Sequence, residues 1–67
     1  MNWFKQSAAP PKVYVISYIG TLLSVYIGGK RYEYFAYPDT VKKIESFVGR
    51  GWHGKALQVL NKLERAN

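Results

Sequence analysis

Two glycine-bearing dipeptides, Gly20-Thr21 and Gly28-Gly29, cut a stretch rich in Val, Ile, Tyr and Phe into three short runs. Glycine reaches backbone conformations closed to other residues. A two-residue gap between β-forming runs is the sign of a tight hairpin. Three antiparallel strands over 12–19, 22–27 and 30–37 are therefore expected.

Two-residue loops also set the register, with Ile19 against Leu22 and Ile27 against Lys30. One face of the sheet is then expected to carry the rows Tyr14-Ile27-Lys30, Ile16-Val25-Tyr32 and Tyr18-Leu23-Tyr34. The other carries Val15-Tyr26-Arg31, Ser17-Ser24-Glu33 and Ile19-Leu22-Phe35. The Ser-Ser-Glu row marks the second face as the solvent side, so the first lies under the helices. A three-residue Gly-Gly loop would slip the third strand and exchange its faces.

Pro38 closes the third strand, and Asp39 or Thr40 is placed to cap a helix by accepting from its free N–H groups. Val41, Ile44, Phe47 and Val48 recur at helical spacing, and Gly49 ends the pattern as a C-terminal cap. A second helix is expected over about 54–65, with Ala56, Leu57, Leu60 and Leu63 inward and Lys55, Lys62 and Arg65 outward. Helices this short do not persist alone, so both must pack on the sheet. The order β-β-β-α-α predicts an α+β fold of two layers, a three-stranded meander with two helices on one face. Residues 12–67 form this single domain, and residues 1–11 form an arm stiffened by Pro10 and Pro11. Trp3 and Phe4 in the arm either dock on the body or anchor a partner.

A chain of 67 residues buries only about 60 % of the surface its unfolded form exposes, so each core side chain counts. Six tyrosines and two tryptophans supply large apolar area with polar tips, which excludes disorder over most of the chain. No cysteine is present, which removes disulfides, thiolate nucleophiles and zinc-thiolate sites, and fits a cytoplasmic setting. The sequence has neither a signal-peptide pattern nor an apolar run of membrane-spanning length.

Residues Leu23-Ser24-Val25-Tyr26-Ile27-Gly28-Gly29-Lys30-Arg31-Tyr32-Glu33-Tyr34, followed by Pro38 and Val41, resemble the KTSC domain. That short module takes its name from the C-terminus of some lysyl-tRNA synthetases. The likeness lies in a Tyr-x-Tyr pair after a hydrophobic strand and a glycine turn, and it extends through Gly51 toward Leu57. Where the family carries a small residue, glycine, aromatic and Asn run, this chain has Gly49-Arg50-Gly51-Trp52-His53-Gly54-Lys55. The resemblance implies RNA binding, which has been suggested for such modules.

Catalysis is not expected. One histidine and four scattered carboxylates do not provide a general acid–base pair, an activated nucleophile or a metal-ligand set. No cofactor or metal is expected either. The balance of ten Lys and Arg against four Asp and Glu gives a net charge of +6, a field that draws polyanions.

The expected nucleic-acid site comprises Lys42, Lys43, Arg50, Trp52, His53, Lys55 and Lys62. In the run 49–55, backbone N–H groups at a helix start, with Arg50 and Lys55 alongside, suit a phosphate. Trp52 has two roles open to it: stacking a base, or filling the core between the helices as tryptophan more commonly does. Tyr32 and Tyr34 read as core tyrosines rather than a base-stacking pair, because the register sets them under the helices. The alternative is a protein-interaction or homodimerisation surface on the open sheet face, through Val15, Tyr26, Arg31 and Phe35. The partners expected are thus nucleic acid, with RNA favoured, or a protein or second copy of the chain, and no membrane.

Overall fold

The computed structural model describes residues 10–67. The expectations for Trp3 and Phe4 fall outside the described residues. Strands β1 (Val13–Ile19), β2 (Leu22–Ile27) and β3 (Lys30–Phe35) precede helices α1 (Pro38–Gly49) and α2 (His53–Leu60), and a two-residue strand β4 (Glu64–Arg65) follows. All pairings are antiparallel, in the order β1-β2-β3-β4. The α+β class and the β-β-β-α-α order stand, with β4 added at the edge.

Both hairpins take the expected register, Ile19 opposite Leu22 and Ile27 opposite Lys30. Gly28 and Gly29 have φ of 57° and 88°, the two left-handed conformations that a type I′ turn demands. Strand three does not slip, so Tyr34 is buried and Tyr32 half-buried on the helix side.

The first half of β1 departs from expectation. Val15 pairs with Val25, yet Ser17 pairs with Ser24, leaving Ile16 as the extra residue of a bulge. Upstream of that bulge every side chain changes face. The rows are Val13-Ile27-Lys30, Tyr14-Tyr26-Arg31 and Val15-Val25-Tyr32. Val13 is fully buried and Val15 packs against the core, so Val15 leaves the open face and Tyr14 takes its place. The bulge also brings Ile16, expected under the helices, to partial exposure. The rows beyond it, Ser17-Ser24-Glu33, Tyr18-Leu23-Tyr34 and Ile19-Leu22-Phe35, are as expected.

Strand three stops at Phe35 rather than residue 37. Ala36 is buried, and its N–H donates to the Thr21 carbonyl at 2.8 Å. Helix α1 begins at Pro38 with extended Tyr37 as its N-cap and no side-chain cap bond, so neither Asp39 nor Thr40 caps it. Proline explains both features: it disfavours helical geometry in the residue before it, and its missing N–H costs nothing in the first turn.

Helix α2 ends at Leu60, not near residue 65. Its last turn tightens through Lys62 N–H to the Val59 carbonyl and Leu63 N–H to the Leu60 carbonyl. The chain then pairs Arg65 with Tyr34 and Glu64 with Phe35. Ladder bonds along β3 take over from the helical ones. The core lies between sheet and helices, where Val13, Leu23, Val25 and Tyr34 meet Val41, Ile44, Ala56, Leu57 and Leu60.

Candidate nucleic-acid interface

The chain between the helices is a C-terminal capping motif. Trp52 N–H donates to the Phe47 carbonyl at 2.8 Å and Gly51 N–H to the Val48 carbonyl at 3.0 Å, the paired bonds of a Schellman turn. The left-handed residue is Gly51, at φ 78°, while Gly49 is the last helical residue rather than the cap. The motif's usual apolar contact joins Trp52 to Phe47, with ring centroids 6.1 Å apart.

Trp52 therefore does not fill the space between the helices. It remains 46 % exposed, and the Arg50 guanidinium lies over its ring at 5.1 Å. A flat apolar surface and a cation stand together at this end of the helix pair.

Helical geometry decides which other cations join them. Lys43 and Arg50 are seven residues apart and share one flank of α1, about 10 Å apart along the axis. Val59 of α2 walls the same hollow as Lys43, so that flank of α2 faces α1. Lys55 stands one turn before Val59, and Lys62 lines the hollow itself. Lys43 and Lys62 line one hollow between the two helices, together with Asp39, and helical spacing sets Arg50 and Lys55 on the same two flanks, nearer the interhelical turn. All four are exposed, and among the described residues the ion pair is Arg31 with Glu33, at 3.4 Å on the other side of the sheet.

Two expected members are not brought in. Lys42 lies about 100° around α1 from Lys43, on the flank turned away from α2. His53 points to the sheet edge, where its Nδ1 accepts from the Val13 N–H at 2.9 Å and Tyr14 meets its ring edge-on.

The open sheet face is apolar at both ends. Tyr14, Ile16 and Tyr26 are exposed at one end, and Ile19 and Phe35 at the other. Between them Ser24 Oγ donates to Glu33 Oε2 at 3.3 Å, and Arg31 pairs with the same oxygen. Of the four residues expected on this face, Tyr26, Arg31 and Phe35 are there and Val15 is not. Sequence reasoning missed Tyr14, because a bulge leaves no local mark. It also missed Tyr37, whose exposed ring stands at the start of α1.

No group of three or more His, Asp or Glu gathers among the described residues, and none of their helices is long and apolar enough to cross a membrane. The chain matches no known family model, no curated protein and no solved structure.

Proposed function

We propose that this chain is a non-catalytic basic module that binds RNA or single-stranded nucleic acid along the cleft between α1 and α2. The observation that carries the reading is the Arg50 guanidinium over a half-exposed Trp52, at the end of a helix pair whose facing flanks carry Lys43, Lys55 and Lys62. None of these ammonium and guanidinium groups forms an ion pair among the described residues, although Asp39 lines the hollow beside Lys43 and Lys62, so they can meet phosphates. A sequence-tolerant strand binder needs an aromatic face beside them. The resemblance of residues 23–34 to the KTSC module supports the same reading, as does the net charge of +6. Affinity would come chiefly from phosphates, with little sequence preference. Replacing Lys43, Arg50, Lys55 and Lys62 together by Ala should abolish binding of a short labelled RNA at low salt. Unchanged binding would defeat the reading.

A second reading has its own support in the exposed Tyr14, Tyr26, Ile19 and Phe35 of the open sheet face. On it the module binds a protein or a second copy of itself. A complex insensitive to salt, yet lost on Tyr26→Asp or Ile19→Asp, would favour it over nucleic acid.

A further inference from the structure

Two shallow hollows meet over the turn that follows α2, of about 300 Å³ and about 330 Å³. Lys62 and Leu63 wall both of them. The first also holds Asp39 and Lys43 of α1, and the second holds Phe35, Tyr37 and Glu64. Tyr37 is 76 % exposed. Its backbone serves as the N-cap of α1, but its side chain makes no capping bond, so the cap does not call for an aromatic ring there.

We propose that the double hollow is a nucleotide subsite, in which a base lies against Tyr37 and Phe35 while its phosphate meets Lys62 and Lys43. This inference rests on the nucleic-acid reading and extends it beyond phosphate contact. The mixture of groups selects the ligand. Two ammonium groups attract an anion, but the Asp39 and Glu64 carboxylates repel a bare one. They accept hydrogen bonds from hydroxyl and amino groups instead. A nucleotide unit brings an anion, hydrogen-bond donors and a flat apolar face together. An acidic peptide would set its carboxylates against Asp39 and Glu64. The hollows have the volume of small-ligand sites, and Lys43 and Lys62 belong to both the subsite and the cleft. One strand can therefore run along the cleft and end in the hollow. A ribose 2′-hydroxyl adds a donor for these carboxylates, which favours RNA over DNA.

The test is titration of a short labelled oligoribonucleotide with Tyr37→Ala, Tyr37→Phe and an Arg50→Ala/Lys55→Ala double variant. Tyr37→Ala should weaken binding about tenfold, the effect of one stacked base, while the salt dependence stays unchanged. Tyr37→Phe keeps the ring and should bind like the parent chain. Both substitutions lie on an exposed side chain, and circular dichroism checks that the fold persists. Parental affinity in Tyr37→Ala, with binding lost in the double variant, would overturn the subsite and leave the cleft reading intact. No binding by the parent chain at low salt would overturn both. Tighter binding of a poly-Glu peptide, lost in Tyr37→Ala, would overturn the nucleotide assignment.

Discussion

The backbone N–H of Val13 donates to Nδ1 of His53 at 2.9 Å, tying the first residue of the edge strand to the first residue of α2. Strand β1 has a partner on one side only, so this outward N–H would otherwise rely on water. An accepting Nδ1 places the imidazole proton on Nε2. The same bond orients the start of α2, and with it the chain that carries Arg50, Trp52 and Lys55. It engages Nδ1 of His53 in holding strand to helix.

His53→Ala should lower stability by about 1 kcal/mol, the net worth of one partly buried hydrogen bond exchanged for a bond to water. The Val13 amide should also exchange faster with solvent. His53→Asn offers a carbonyl oxygen near the same place and should recover part of the loss. Chemical denaturation with amide exchange reads both effects, and an unchanged Val13 amide in His53→Ala would contradict the account.

The two glycines at the end of α1 should respond in opposite directions. Gly51 has φ 78° in the Schellman turn, so Gly51→Ala should destabilise by about 1 kcal/mol. Gly49 is helical, with nothing within 4 Å of an added Cβ, so Gly49→Ala should stabilise by about 0.5–1 kcal/mol. Thermal unfolding of the pair checks the assignment of the cap.

Alkaline unfolding should report Tyr34. Burial pushes its hydroxyl above the ordinary 10.0, Arg65 opposes the rise and Tyr32 adds to it. Because the folded state holds this proton more tightly, the contribution is complete below pH 10.0. It is lost as pH rises toward the raised value. Tyr34→Phe should flatten that part of the stability–pH curve, and an identical curve would contradict the assignment.

Ile16 is the extra residue of the β1 bulge. Its deletion leaves Val15 facing Val25 and Ser17 facing Ser24 in unbroken alternation. The shortened chain should still unfold cooperatively, with Val13 and Val15 in the core. A chain that fails to fold would show that the bulge itself is required.

The hairpins were legible because Gly28-Gly29 and Gly20-Thr21 leave few alternatives to tight two-residue turns. Tyr18, Leu23 and Tyr34 followed from the register that those turns impose. The bulge at Ile16 was not legible, since one unpaired residue on an edge strand alters no composition and breaks no hydrophobic run. Nor was β4. Two residues are too few to alternate, and Leu63 continues the stripe of Leu60 until pairing with β3 draws the chain away. At the candidate site, the cationic residues were apparent from charge. The separation of Lys42 from Lys43 needed the orientation of α1, and the diversion of His53 needed the changed face of Val13. Trp52 stayed half-exposed because it belongs to the cap, where its partner is Phe47 on the same helix.

The central claim is most directly tested by the salt dependence of binding to a short RNA, followed by the fluorescence of Trp52 against a Trp3→Phe background. Four phosphate contacts on a single strand predict a slope of log affinity against log salt of about −3. Tryptophan emission should change on binding, and Arg50→Ala should make the slope shallower by about 0.7. Failure to bind RNA or single-stranded DNA at low salt would contradict the account, as would a slope unchanged after removal of Lys43, Arg50, Lys55 and Lys62.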